Sequence, residues 1–573
     1  MRFRQNSALN LAAKYLWYSE MLISRVSKSV SLAQTEADQV SIMALLRTFK
    51  ILSILGLAAT FGLAQAQYTS SNITLYKQYT PSDLGSSGGN SCWGYVSPSG
   101  REYALMGCDN KVAFVEITDP AHPVFFASIP HTSNLWGDIK TYGTVAYAVT
   151  ELSGSGLQVI DLSNIDNHVV TLVRTLASPS RSHTIHVDNT SGFLYCCGTH
   201  GGTGTTMCFD LKGDPLNPVQ VGMPSLTTTF YQHETIVLPY TSGPYAGKQI
   251  MFSGGEGRGV EIWDVTDKNA VTLIRRITYA FVGYCHQSWV SPDRKYLYVN
   301  DEFDEANQGF NTRTLVFDIS VLATADLVAT FSTNKTSIDH NLYNKNNFIF
   351  EGNYTTGLNI FDANTSPTAP TYRGFFDTHP ENDNAEYSGM WSNYPFFPSG
   401  TVIGGDMNRG LFIFDVSEAT KTDFAVNNII NIRGKVVSGG LGEIAQADGS
   451  YYVVSKFIVA NIFQPPIEQV FEGTSLWTDI SKLKFNLRIK ASTIGLSHTI
   501  ELYDWVSNTW VEATTNQTPV ADTTFTYTGP NPDRFVDPVA KRIKARLTVK
   551  QTGPTATIGW NCSVDLANWT VNP

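Results

Sequence analysis

From about residue 73 to residue 415 the chain repeats one pattern of apolar and polar positions. Short apolar runs, bounded by turn residues, alternate with half-polar segments. Seven of the runs end in a carboxylate: Ala113–Glu116, Gln158–Asp161, Met207–Asp210, Glu261–Asp264, Leu315–Asp318, Asn359–Asp362 and Phe412–Asp415. Successive carboxylates lie roughly 45–55 residues apart, the length of one four-stranded propeller blade. A single blade cannot bury both of its faces, so a ring of stacked blades is the expected way to satisfy all of them.

The rest of each repeat fits that unit. A hairpin-like pair precedes each run, as in Trp93–Val96 with Glu102–Met106, or His286–Val290 with Tyr296–Asn300. Turn residues such as Ser97-Pro-Ser-Gly and Asp188-Asn-Thr-Ser-Gly separate the two members. A fourth strand follows, for example Pro123–Ile129 or Leu327–Phe331. The last repeat lacks one. Ile73–Tyr79 has the fourth-strand pattern without a hairpin of its own. It is therefore predicted to complete the seventh blade and leave no free sheet edge.

After about residue 430 the repeat ends. Segments such as Lys484–Lys490, with Phe485, Leu487 and Ile489 alternating against polar neighbours, predict half-buried strands. The fold class expected is all-β: a seven-bladed β-propeller over 67–430, then a jelly-roll-like β-sandwich over 431–573. Trp505 and Trp510 are read as core positions flanking turns, with exposed sugar-stacking rings as the alternative.

Composition narrows the partners. The net charge of −10, with no basic stripe, excludes a nucleic-acid partner. No nucleotide-binding loop or nucleophile elbow is found in a strand-to-helix setting. At the N-terminus, Met43 opens a short basic stretch, Ile51–Leu63 is apolar, and Ala64-Gln65-Ala66 suits a signal peptidase. Residues 1–42 read as a structureless extension, 43–66 as a signal peptide cleaved after Ala66, and no transmembrane span is expected in the mature chain. Localisation is expected to be secreted or extracellular, with surface association as a variant. Seven cysteines suit an oxidising compartment. Cys92 with Cys108, and Cys208 with either Cys196 or Cys197, are the pairs the strands allow; Cys285 and Cys562 have no evident partner. Eight glycosylation sequons, Asn353 among them, agree with export.

Candidate chemistry lies on the ring axis. Four consecutive repeats place histidine where the innermost strand starts: His183, His233, His286 and His340. The partner strands end on the same rim with Glu151, Glu256, Asp301, Glu302, Glu351 and Asp406. Neutral imidazole and carboxylate are the ordinary ligands of Zn²⁺ and other transition metals. The expected cofactor is one divalent ion held by His183, His233, His286, His340, Glu302 and Glu351. Asp138, Asp301, Asp339 and Trp391 are candidate ligand-binding residues beside it. A polar ring shared through common ancestry of the blades is the competing explanation. His186 is read as structural, His379 as a cap on the funnel, and His122, His131, His168, His200 and His498 as solvent or turn residues. The run-ending carboxylates are assigned to backbone turns.

The stretch Trp93-Gly-Tyr-Val, Glu102-Tyr-Ala-Leu-Met-Gly and Phe114-Val-Glu-Ile-Thr-Asp-Pro resembles the opening of the choice-of-anchor B family of LVIVD-repeat proteins. Leu135-Trp-Gly-Asp-Ile-Lys-Thr-Tyr, Leu157-Gln-Val-Ile-Asp-Leu-Ser and Ser182-His-Thr-Ile-His-Val-Asp extend the likeness across most of residues 70–420. The resemblance implies a secreted, propeller-like chain and supplies no reaction. Two functions follow as expectations. The first is a non-catalytic binding protein whose propeller face recognises an extracellular ligand, a glycan or another cell-surface component. The second is a metal-dependent hydrolase of esters or lactones.

Overall fold

The computed structural model describes Tyr68–Pro573 except residues 200–205, 223–230, 460–462 and 554–558. The expected N-terminal extension and signal peptide lie outside the described residues, as does His200. The described chain is all-β, and its first part is propeller-like: a succession of four-stranded antiparallel sheets. Each is a meander taken from consecutive segments, such as Gly89–Val96, Glu102–Cys108, Lys111–Glu116 and Val124–Pro130. The first strand of each sheet packs beside the first strand of the next, and Met390–Tyr394 returns to Gly89–Val96.

Burial within a sheet explains the sequence pattern. Glu102–Cys108 is buried along its whole length, because a middle strand is covered on both faces by neighbouring sheets, and so reads as a continuous apolar run. Thr171–Leu176, a fourth strand, is almost wholly exposed at the perimeter. The cores lie between sheets: Tyr103, Leu105 and Phe114 of one sheet meet Ile139, Ala146 and Ile160 of the next. The run-ending aspartates turn the chain. Asp161, Asp210, Asp264, Asp318, Asp362 and Asp415 each accept the backbone N–H two residues on, at 2.8–3.0 Å. Glu116, one methylene longer, instead pairs with Arg101 and His168.

The strand from the start of the described chain closes the ring. Thr74–Tyr79 pairs antiparallel with Gly410–Asp415, in register Thr74 to Asp415 and Leu75 to Phe414. Ser70–Ser71 adds an edge to the preceding sheet. At the closure backbones approach closely: a Cβ on Gly405 would lie 2.5 Å from the Asn90 carbonyl oxygen.

From Thr422 onward the strands enter two further antiparallel sheets, one of six strands and one of five. Their apolar residues share one core with the propeller-like part, where Trp477 and Leu483 join Phe348, Phe350 and Phe414. The Trp477 and Phe348 rings are 5.8 Å apart.

The expected disulfides are corrected. All seven cysteines are free and buried. Strand register sets Met106 opposite Cys92, Met207 opposite Cys196 and Tyr195 opposite Cys208. Cys196 and Cys208 lie in different inter-sheet cores. Trp505 and Trp510 are half-exposed rather than core residues, with Arg542 and Arg546 over their rings. The Asn353 sequon is fully buried, which excludes glycan attachment to the folded chain. Among the described residues no helix is long and apolar enough to cross a membrane.

Candidate metal centre

Each of the four axial histidines stands where an innermost strand begins, so the ring brings them to one end of the axis. His183 precedes Thr184–Asp188, His233 precedes Thr235–Pro239, His286 is the second residue of Cys285–Val290, and His340 precedes Leu342–Lys345. Their rings follow one another with centroids 4.1, 4.3 and 4.2 Å apart. All four are buried, His286 and His340 to 1 % exposure.

The partners of these rings set their tautomers. His183 Nδ1 meets the Glu151 carboxylate at 2.9 Å, and its Nε2 faces His233. That Nε2 lies 3.0 Å from His233 Nε2. Two imidazole nitrogens bound about 2.1 Å from one ion, at angles of about 90–110°, lie roughly 3.0–3.4 Å apart, so this spacing fits a shared cation. His340 Nδ1 donates to the Trp391 carbonyl at 2.5 Å, which turns its bare Nε2 toward Glu302 Oε1 at 3.5 Å. His286 Nε2 is 3.9 Å from Glu302 Oε2. His286 Nδ1 is buried without a hydrogen-bond partner, an unfavourable state for a polar nitrogen. Single ligand atoms of His233, His286 and Glu302 all lie within 4.8 Å of one another, an arrangement that can hold a metal ion.

Electrostatics favours the same use. Burial, reinforced by the neighbouring imidazoles, pushes His233 and His286 well below the ordinary histidine range. Burial takes His340 down to about 3. These rings are neutral near pH 7 and keep the lone pairs a metal requires. Burial raises Glu302 to about 7, against the opposing hydrogen bond from Tyr354. Glu151 is also raised by burial, but the His183 and Tyr231 hydrogen bonds outweigh that and hold it below its usual value.

Tyrosines supply the outer partners. Tyr284 OH lies 2.9 Å from His233 Nδ1, Tyr354 OH donates to Glu302 Oε1 at 2.7 Å, and Tyr231 OH donates to Glu151 Oε1 at 3.0 Å. They were not among the sequence candidates. Two of them carry a local signal, because Tyr231-Gln-His233 and Tyr284-Cys-His286 set a phenol two residues ahead of an imidazole where an innermost strand begins. Glu256 stands beside the Tyr284 phenol.

Other expected site residues do other things. Glu351 does not join the histidines: it accepts the Thr314 hydroxyl at 2.6 Å and the Asn353 amide at 2.9 Å. Asp301 accepts Tyr279 OH and the backbone N–H groups of Gly283 and Tyr284, and so shapes the loop that carries Tyr284. Asp138 is paired with Lys140 at 2.6 Å and accepts Ser91 and the Ile185 N–H. Asp339 accepts the Asn300 amide at 2.7 Å. Trp391 borders the centre through its carbonyl and by ring contact with His340 at 5.2 Å. Asp406 accepts the N–H groups of Asn408 and Arg409 in a turn. His379 pairs with Glu381 at 3.7 Å. His498, expected at the surface, is fully buried among Thr518 and Tyr527. His186 bonds the Val237 carbonyl and borders a small axial chamber with Lys140, Glu234 and Tyr343.

No family model matches this chain, and no curated protein matches it. Solved structures similar to it include a functionally unknown protein from Desulfotomaculum acetoxidans DSM 771, at 14% identity and TM-score 0.37, covering 52% of this chain and 89% of that one. U3-55K aligns at 8% identity and TM-score 0.38 over 60% of this chain and 98% of its own. The WD40 β-propeller domain of Doa1 aligns at 10% identity and TM-score 0.40, over 61% and 96%.

Proposed function

We propose that the chain is an exported binding protein that carries one divalent transition metal on the axis of a seven-bladed propeller, followed by a β-sandwich. In this reading it is cleaved after Ala66 and resembles the choice-of-anchor B proteins, and its propeller face recognises an extracellular ligand. The observation that carries the metal is the convergence of His233, His286 and Glu302, with imidazole nitrogens from His183 and His340 beside them. Mixed nitrogen and carboxylate donors suit Zn²⁺ and its transition-metal neighbours over Ca²⁺ or Mg²⁺. The outer hydrogen bonds from Glu151, Tyr284, Tyr354 and the Trp391 carbonyl are the kind that orient metal ligands. Recognition without reaction is the first reading because the ligands come from one repeated blade position.

A metal-dependent hydrolase is the second reading. It is favoured by Glu302, a buried carboxyl set among the axial histidines and oriented by the Tyr354 hydroxyl. When bound, the ion would polarise an ester or lactone carbonyl. Tyr354 would hold Glu302 in place, while Glu151 fixes the ring of His183.

The test is elemental analysis of purified residues 67–573 alongside a His233→Ala/His286→Ala variant. Near-stoichiometric metal that disappears from a folded variant is the expected result. Metal in neither protein would leave the histidines as a polar channel lining and overturn the proposal. Ester or lactone turnover lost with the metal would move the assignment to the hydrolase.

A further inference from the structure

The C-terminal sheets meet the propeller-like part at one end, and their opposite end is apolar. The strand Lys482–Ala491 starts beside that contact, where Leu483 joins Phe348 and Phe414, and the Ser481 N–H donates to the Asn572 carbonyl. Over its 10 residues it runs roughly 30 Å, away from the propeller-like part, to the far pole. There, backbone hydrogen bonds tie separate turns together. The Lys456 N–H donates to the Trp560 carbonyl at 3.1 Å, Ser492 to Asn561 at 3.0 Å, and Ala491 to Pro519 at 2.7 Å.

The tips of these turns carry large apolar side chains where polar turn residues are the ordinary choice. Ile458 is 89 % exposed, Phe463 87 %, Ile494 64 %, Phe457 56 % and Val520 53 %. Side chains of this size gathered in water mark a surface that is covered in use. They do not line one groove. Phe457, Ile458 and Phe463 lie between Tyr452–Ser455 and Ile467–Thr474, Ile494 follows Lys482–Ala491, and Val520 follows Thr509–Gln517. Lysines surround them. Lys435 opposes Ser455, Lys456 follows that serine, and Lys550 opposes Ser497 just past the Ile494 turn. Among the described residues these three lysines form no ion pair, whereas Glu468 and Asp522 at the same pole are held by Arg433 at 2.9 Å and Lys490 at 3.3 Å.

We propose that this pole is a peripheral membrane-binding surface: its apolar tips enter the boundary between headgroups and acyl chains, and Lys435, Lys456 and Lys550 meet anionic phospholipid headgroups. A fluid interface takes up separate apolar projections, each of which a protein partner would have to match with its own pocket. Lysines without carboxylate partners complement the negative surface of an anionic bilayer. Against a second copy of the same pole they would set like charges face to face, which costs affinity. Bound in this way, the chain keeps its propeller-like part clear of the bilayer. The surface is independent of the axial metal centre.

The experiment is flotation of the purified protein with vesicles of phosphatidylcholine alone and of phosphatidylcholine mixed with phosphatidylserine in equal parts. The expected result is co-flotation with the mixed vesicles, weakened by high salt through screening, and weaker binding to phosphatidylcholine alone. Losing one inserted aliphatic side chain should lower partitioning about tenfold, so Ile458→Ser/Ile494→Ser should lower it about a hundredfold. Tm should not change, because both side chains are exposed in the folded chain. Lys435→Glu/Lys456→Glu should remove the preference for phosphatidylserine, and His233→Ala/His286→Ala should float as the unaltered protein does. No flotation with either vesicle, or flotation that Ile458→Ser/Ile494→Ser leaves unchanged, would overturn the proposal. A dimer on gel filtration that the same substitutions make monomeric would also overturn it, and would assign the tips to a second copy.

Discussion

At the scale of single residues, the axial centre is governed by which nitrogen of each imidazole is already engaged. Glu151 and the Trp391 carbonyl occupy the Nδ1 atoms of His183 and His340 and leave their Nε2 atoms facing His233 and Glu302. Tyr284 does the corresponding work at His233. Removing such an outer partner typically lowers metal affinity about 10–100-fold. Tyr284→Phe is therefore expected to weaken metal binding by that factor without unfolding the protein, as measured by competition with a chelating dye. His498 makes a different point. It is buried against Tyr527 at 2.6 Å, and burial lowers it to about 4. Because its folded pKa lies below the unfolded value of about 6.5, the unfolded chain takes up a proton that the folded chain refuses between those values. Its contribution is complete above pH 6.5 and is lost progressively as pH falls toward 4, by as much as about 3 kcal/mol. His498→Gln should flatten the dependence of Tm on pH across that window. An unchanged slope would assign the acid sensitivity to other groups.

At the scale of elements, the closure of the ring depends on a strand more than 300 residues away from its partner in sequence. Thr74–Tyr79 covers the edge of Gly410–Asp415, with Leu75 packed against the shared apolar core. An uncovered edge presents unpaired backbone groups to other chains. A truncation beginning at residue 80 is expected to aggregate, whereas one beginning at residue 68 should remain monodisperse on gel filtration. This element was legible in the sequence because period-two alternation and turn chemistry are local properties. The aspartate turns were legible for the same reason, since the acceptor and the N–H it binds are two residues apart. Glu351 shows the limit. It ends a partner strand as Glu302 nearly does, yet it faces Thr314 and Asn353. Position in a repeat places a residue on the rim but does not determine which way its carboxylate points, and a one-residue offset exchanges faces.

At the scale of the whole molecule, the propeller-like part and the C-terminal sheets share a continuous core. Trp477, 8 % exposed, packs its ring against Phe348, and Lys482 reaches Asp415 at 3.3 Å. The protein is therefore expected to unfold in one calorimetric transition. Trp477→Ala, a large-to-small change costing about 3–5 kcal/mol, should split that transition or lower it. Two transitions in the unaltered protein would show that the shared core does not couple the parts. By itself the sequence determined the strands, the turns, the repeat length, the N-terminal strand that completes a sheet, and the blade position that delivers four histidines to one end of the axis. Each of these follows from neighbouring residues or from a period. Only the tertiary structure decided that Glu302 and not Glu351 meets those histidines, that the cysteines stay unpaired, and that His498 is buried. Those outcomes depend on which distant side chains share a volume once the sheets have packed, and no local pattern of apolar and polar residues encodes that.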